Sequence, residues 1–242
     1  MRETFYKKLT HKIVEAKESL VHLLFPDLCL VCEREIPQNQ QKICSFCETE
    51  LPFTHFTQSN DKSPLEQLFW GRVRIEHVYS WLTYQRETST QTLLHQIKYK
   101  DKPQLAQTMG EKLGRQLEHF DWIKEVEAFI PVPIHPKKRF IRGYNQSEEL
   151  VKGLTSVLNI PMDTDFIQRS LHTESQTKKG RFGRWDNIDG AFRRTNANKT
   201  YQHIAIVDDV ITTGATLERI VQQIHEKNPD LRVSLISLAF AQ

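Results

Sequence analysis

The sequence predicts an α/β protein built on a parallel sheet, preceded by a small metal-binding unit. Three observations carry that prediction. Apolar strands alternate with amphipathic helical stretches from His77 onward; the apolar run Ile204 to Val207 leads directly into two aspartates and a threonine-glycine loop; and all four cysteines fall between Cys29 and Cys47. Alternating strands and helices imply crossover connections that cover both faces of a parallel sheet. Ligands of such sheets gather beyond the carboxyl ends of the strands.

Length and charge set the outer bounds. A chain of 242 residues suggests one to two domains and suffices for a full core. With 33 Lys+Arg against 30 Asp+Glu and a pI near 8.6, it is not the polycation expected of a dedicated duplex-DNA packer, so any basic partner surface is local. Lys7, Lys8, Lys12, Glu15, Lys17 and Glu18 break up the first 24 residues, which leaves no signal-peptide core. No later apolar run approaches membrane-spanning length, and the expectation is a cytoplasmic protein without membrane insertion.

Taken in order, Phe5, Leu9, Ile13, Ala16, Leu20 and Leu24 recur at spacings of three and four, predicting an amphipathic helix over residues 4–24 that ends at Phe25-Pro26. Cys29-x-x-Cys32 and Cys44-x-x-Cys47 follow, with eleven residues between the pairs. Two such knuckles bring four thiolates onto one Zn²⁺ ion, and because four thiolates fill the tetrahedron the ion is structural. Paired disulfides would need a secretory signal, and redox CxxC motifs need no second pair at this distance. The polar stretch 54–64 reads as a linker, which divides the chain into residues 1–64 and 65–242. Beyond it, 77–84, 128–132, 203–207 and 233–239 read as strands, and 89–97, 104–117, 145–158 and 215–226 as helices.

The segment Ile204 to Thr216, IAIVDDVITTGAT, is the chief candidate site. Paired carboxylates at a strand end are costly unless they meet hydrogen-bond donors or a cation, and the two hydroxyls of a ribose are such donors. Thr212, Thr213, Gly214, Ala215 and Thr216 place three hydroxyls and a glycine immediately before a helix, where backbone amides and the positive helix end favour a phosphate. An ordinary helix cap would need one carboxylate, not two carboxylates and three threonines. Arg139 and Arg142 are a second candidate, since guanidinium groups pair bidentately with phosphate oxygens; Lys137 and Lys138 read as solvated surface. His135 is a weak candidate for a general base and reads more simply as a loop residue.

Residues 167–199 carry eight basic and three acidic side chains with Phe182, Trp185 and Phe192 interleaved. Three readings stay open. The stretch closes over a pyrophosphate leaving group; or Lys178, Lys179, Arg181, Arg184 and Trp185 form a platform for single-stranded nucleic acid; or its aromatics are partly buried and its charges merely solvated.

The Ile204 to Thr216 segment resembles the phosphoribosyl pyrophosphate signature of type I phosphoribosyltransferases. Pro131-Val132-Pro133-Ile134-His135 with Arg139, Arg142, Gly143, Tyr144, Asn145 and Gln146 resembles a segment of the ComF family of competence proteins, as do the four-cysteine knuckle and the spacing of Arg169, Thr173, Gln176, Arg184, Asn187, Ala191 and Phe192. The resemblance covers nearly the whole chain. It implies a phosphoribosyltransferase fold in which Asp208 and Asp209 bind the ribose hydroxyls, and act in catalysis if the protein is an enzyme, while Thr212 to Thr216 hold the 5-phosphate and Mg²⁺ accompanies the pyrophosphate. It also implies that Val132 and Pro133 belong to a pyrophosphate loop, for which a cis Val132–Pro133 bond would turn an amide inward. A role in natural transformation follows by the same resemblance, beside a ComFA-like helicase and after single-stranded DNA enters. A working phosphoribosyltransferase of unassigned acceptor and a zinc-containing single-strand adaptor are the alternatives.

Overall fold

The computed structural model describes residues 26–37, 42–54, 64–85, 88–169, 192–194 and 200–241. The expected helix over 4–24, most of the expected linker and the basic stretch from 170 to 191 lie outside the described residues. The chain forms two compact units, Met1–Leu51 and Pro52–Gln242. In the first, a bridge between Leu28 and Glu35 and the short helix α1 (Ser45–Thr49), capped by the Cys44 side chain, carry the two cysteine pairs.

The second unit opens with Pro52 to Thr54 bonded along the sheet edge and the short helix α2 (Pro64–Gln67). The elements that follow are β1 (Val78–Tyr84), α3 (Ser89–Tyr99), α4 (Pro103–Leu117), β2 (Ala128–Pro131), α5 (Pro136–Arg142), α6 (Gln146–Leu158), β3 (Ile167–Arg169), β4 (Phe192–Arg194), β5 (His203–Ile211), α7 (Ala215–Lys227) and β6 (Arg232–Ala241). Strands β1, β6, β5 and β2 lie side by side in that order, and every pairing is parallel. The expected parallel sheet is therefore present, with an antiparallel β3–β4 ribbon beside it that periodicity did not reveal.

The central strands are apolar along both faces because helices cover both. Ile204 and Ile206 join Leu217, Ile220, Val221 and Ile224 of α7 in one buried cluster. Helix α6 packs on β5 and β2 from the other side. Two glycines fix how α6 meets α4: a Cβ at Gly110 would lie 2.1 Å from the Leu150 carbonyl oxygen, and one at Gly153 would lie 2.0 Å from that of Gln107. The two backbones touch at a distance no side chain permits.

Two expectations about the chain ends of strands are corrected. Strand β5 does not stop at Val207; it stays paired to β6 through Ile211, with Asp208 opposite Ser237 and Val210 opposite Ala239. Its other neighbour, β2, ends opposite Val207. The aspartates thus emerge where one flank of a continuing strand becomes free, a firmer support than a loop. The Val132–Pro133 bond is trans, since the described residues hold no cis peptide. The reason is local: Val132 continues the strand, its N–H donating to the Val207 carbonyl at 2.9 Å and its carbonyl accepting from Asn145 Nδ2 at 3.0 Å.

Candidate functional site

The Asp-Asp and threonine segments meet at the carboxyl end of β5. A small cavity there is lined by Asp208 and by residues 210–217. Gly214 initiates α7 with φ +73°, a left-handed conformation that side chains resist, and a Cβ there would stand 2.9 Å from the buried Phe69 ring. The glycine therefore serves both the turn and the close approach. Arg72 ties the loop down from the same side, its Nη1 donating to the Thr213 carbonyl at 3.3 Å while the guanidinium pairs with Glu218. Thr212, Thr213, Ala215 and Thr216 stay exposed above this support, at the amino end of a 13-residue helix. That arrangement suits an anion.

The aspartates differ in their partners. Asp208 Oδ1 accepts from Ser147 Oγ at 3.1 Å and from the Asp209 amide at 2.9 Å. Asp209 Oδ2 stands 2.8 Å from Lys98 Nζ. Burial, and then the adjacent Asp209 charge, push the Asp208 carboxyl up to about 7, against the pull of the Asp209 amide, the Ser147 hydroxyl and the Lys98 ammonium. Two carboxylates held this close favour donors and cations. Hard carboxylate oxygens that already face an ammonium fit Mg²⁺, which takes one or two protein carboxylates beside substrate phosphates.

The segment from Arg142 to Ser147 builds the other wall. Gly143, at φ +80°, ends α5, and Asn145 caps α6 through its Oδ1 while its Nδ2 holds the Val132 carbonyl. The Tyr144 hydroxyl donates to the Ile97 carbonyl, and the Arg142 guanidinium lies 5.3 Å over the Tyr99 ring, so the end of α3 is fastened to this turn. His135 accepts the Lys137 amide and caps α5. Arg139 makes a two-pronged pair with Glu148 at 3.0 and 3.1 Å, and Arg142 donates to Gln146 Oε1 at 2.8 Å. Helix α5 has no buried side chain, and Phe140 is 92 % exposed.

Sequence reasoning did not single out Lys98, Ser147, Arg72 or Phe69 as members of this neighbourhood. Ser147 adjoined a motif already noted and was the one within reach. Lys98 lies 111 positions before its partner in the sequence, and nothing in LLHQIKYK distinguishes it from a solvated lysine. Lys178, Lys179, Arg181, Arg184 and Trp185 lie outside the described residues; of that stretch, Arg169 sits 5.3 Å over the Phe192 ring.

In the first unit, the sulfurs of Cys29, Cys32, Cys44 and Cys47 lie within 4.8 Å of one another. Tetrahedral zinc with bonds near 2.3 Å needs sulfur pairs about 3.8 Å apart, and Cys32 and Cys44 already stand at 3.7 Å. The donor set fits a metal ion. Burial acts to raise the Cys29 thiol, yet backbone amides at Cys32, Cys44 and Val31 bring it down to about 7, while burial pushes Cys32 and Cys47 up. Among the described residues no helix is long and apolar enough to cross a membrane.

No family model matches the chain. It is 28% identical over 206 residues to competence protein F of Haemophilus influenzae, across 83% of this chain and 85% of that protein. It is 25% identical over 215 residues to DNA utilization protein YhgH of Escherichia coli K12, across 83% and 91%, and 23% identical over 237 residues to competence protein ComFC of Bacillus subtilis, across 98% and 88%. Its structural neighbours include hypoxanthine phosphoribosyltransferase from Trypanosoma cruzi, at TM-score 0.31 and 14% identity over 58% of this chain and 66% of that one, just under two thirds of its length. Adenine phosphoribosyltransferase from Leishmania tarentolae follows at TM-score 0.29 and 13% identity, over 74% and 88%.

Proposed function

We propose that this chain, a homologue of competence protein F, of ComFC and of DNA utilization protein YhgH, binds phosphoribosyl pyrophosphate in the service of DNA uptake on the cytoplasmic side of the membrane. The observation that carries the reading is the joining of two unlike subsites on one strand-loop-helix unit. A carboxylate pair sits on β5 beyond its last β2 partner, and a glycine-pivoted threonine loop lies at the amino end of α7. A 5-phosphorylated ribose suits both, with its ring hydroxyls on Asp208 and Asp209 and its phosphate on the amides and hydroxyls of residues 212–216. Mg²⁺ would supply charge neutralisation at the pyrophosphate, held by the phosphates and oriented by the two aspartates through water. Val132 and Pro133, which follow β2 and start with the Val132 amide bonded to the Val207 carbonyl, are the proposed edge of the pyrophosphate position. Calorimetric titration with phosphoribosyl pyrophosphate and Mg²⁺ tests the reading. Saturable binding at micromolar to millimolar ligand is expected; no heat at any magnesium concentration overturns it.

The cysteine unit is proposed as a structural zinc module, and a ComFA-like helicase as the partner through which the protein meets incoming single strands, on the kinship with the competence proteins. Elemental analysis of protein purified without chelator is expected to give about one zinc per chain. Cys29→Ser or Cys44→Ser should abolish that zinc while leaving ligand binding by the second unit largely intact.

A further inference from the structure

We propose that Lys98 is a resident counterion of the ribose-binding carboxylates, which a divalent cation arriving with the ligand must displace. The proposal takes the role of Asp208 and Asp209 from the function proposed above. The Lys98 ammonium lies 2.8 Å from Asp209 Oδ2, and both side chains are largely withdrawn from water, at 25% and 16% exposed. This is not a casual surface pair. The last turn of α3 is held against the site by neighbours on either side of Lys98, through the Tyr144 hydroxyl on the Ile97 carbonyl and the Arg142 guanidinium over Tyr99. The same Arg142-to-Ser147 turn sends Ser147 to Asp208. One anchored region therefore supplies a neutral donor to one aspartate and a full positive charge to the other.

The chemistry of the group suits a counterion that yields. Lysine is a point charge on a flexible four-carbon arm, without the rigid fork that locks arginine onto a carboxylate. With the ammonium in place, one unit of the dyad's negative charge is offset, and free Mg²⁺ meets a partly neutralised site. A cation carried by the pyrophosphate oxygens brings further ligands of its own and can compete. In the free protein, Lys98 thus makes metal entry depend on the phosphorylated ligand.

The test uses the full-length, zinc-loaded protein and Mn²⁺ as a spectroscopic substitute for Mg²⁺, followed by electron paramagnetic resonance without any ribose ligand. Lys98→Met removes the charge and keeps the arm, and is expected to tighten Mn²⁺ binding by roughly tenfold or more. Lys98→Arg should remain weak, and Asp209→Asn on the Lys98→Met background should abolish the gain. Lys98→Gln provides the same comparison if Lys98→Met fails to fold. Equal Mn²⁺ affinity in the wild type and the neutral variants overturns the proposal. If the wild type binds phosphoribosyl pyrophosphate but Mn²⁺ binding is unmoved, the counterion role fails and the ligand reading stands. If Mn²⁺ binding changes as expected while the wild type binds no phosphoribosyl pyrophosphate, the cation competition holds and the ribose assignment fails.

Discussion

Asp208→Asn is expected to make the protein more heat-stable and a poorer binder at once, and with Asp209→Asn added the affinity for phosphoribosyl pyrophosphate should fall at least about 30-fold. The loss follows from removing carboxylates that accept hydrogen bonds from two ribose hydroxyls. The gain follows from burial and from Asp209, which lift the Asp208 carboxyl to about 7 and so penalise its charged form in the folded state. A group whose folded pKa is raised above its unfolded value stabilises below the unfolded value and loses that contribution as pH rises through the folded one. The advantage of the single Asp208→Asn variant should therefore be full above about pH 7, shrink as pH falls toward 4 and vanish below it. Its size should be roughly 1 to 3 kcal/mol, less than the full shift implies because Asp208 is only partly buried. Thermal melts across pH, alongside calorimetry, read both quantities. A variant that loses stability and keeps its affinity would make Asp208 a helix-supporting group and no more.

Gly153→Ala should be the most damaging single methyl in the second unit. The added carbon would lie 2.0 Å from the Gln107 carbonyl oxygen and 2.7 Å from the Glu111 amide nitrogen, both backbone atoms of the facing helix. Rotamer change cannot relieve such contacts, so α4 and α6 must part along their length. An expected cost of about 3 kcal/mol or more lies at the upper end for overpacking, a fall in Tm of roughly 6 to 12 °C for a unit of this size. Gly110→Ala meets the Leu150 carbonyl oxygen at 2.1 Å across the same crossing. Once one alanine has separated the helices the second has less to spoil, and the double variant should cost clearly less than the sum. Additive costs from two such close positions would mean that the helices do not part as a unit.

What was legible in the sequence follows from which signals are local. The parallel sheet announced itself through apolar runs such as Ile204 to Val207, because a strand covered on both faces has nowhere to place a polar residue. The helix begun by Asn145 and the cysteine cluster were equally open, as each depends on neighbours in sequence. The end of β5 was not. A strand stops where its partners stop, and β6 continues past the point where β2 ends. Helix α5 was hidden because Pro136 to Arg142 buries nothing, so no apolar periodicity marks it. Lys98, Ser147 and the glycine pair owe their meaning to residues brought close by the fold, and their types alone suggest solvent or weakened helix.

The order of strands in the sheet also governs the order in which the protein can be made. Strand β1 lies beside β6, with Val78 opposite Leu235, and β5 and β6 occupy the middle. A ribosome therefore releases both flanking strands, with α3, α4 and α6, before either central strand exists. The nascent chain must carry the apolar faces of β1, β2, α4 and α6 unprotected until β5 and β6 emerge, and only then can the sheet close. Parallel pairing at such separation is slow to find, and chains waiting in that condition are prone to aggregate. Production at low temperature, or with a holdase present, should raise the soluble yield more than a stronger promoter would.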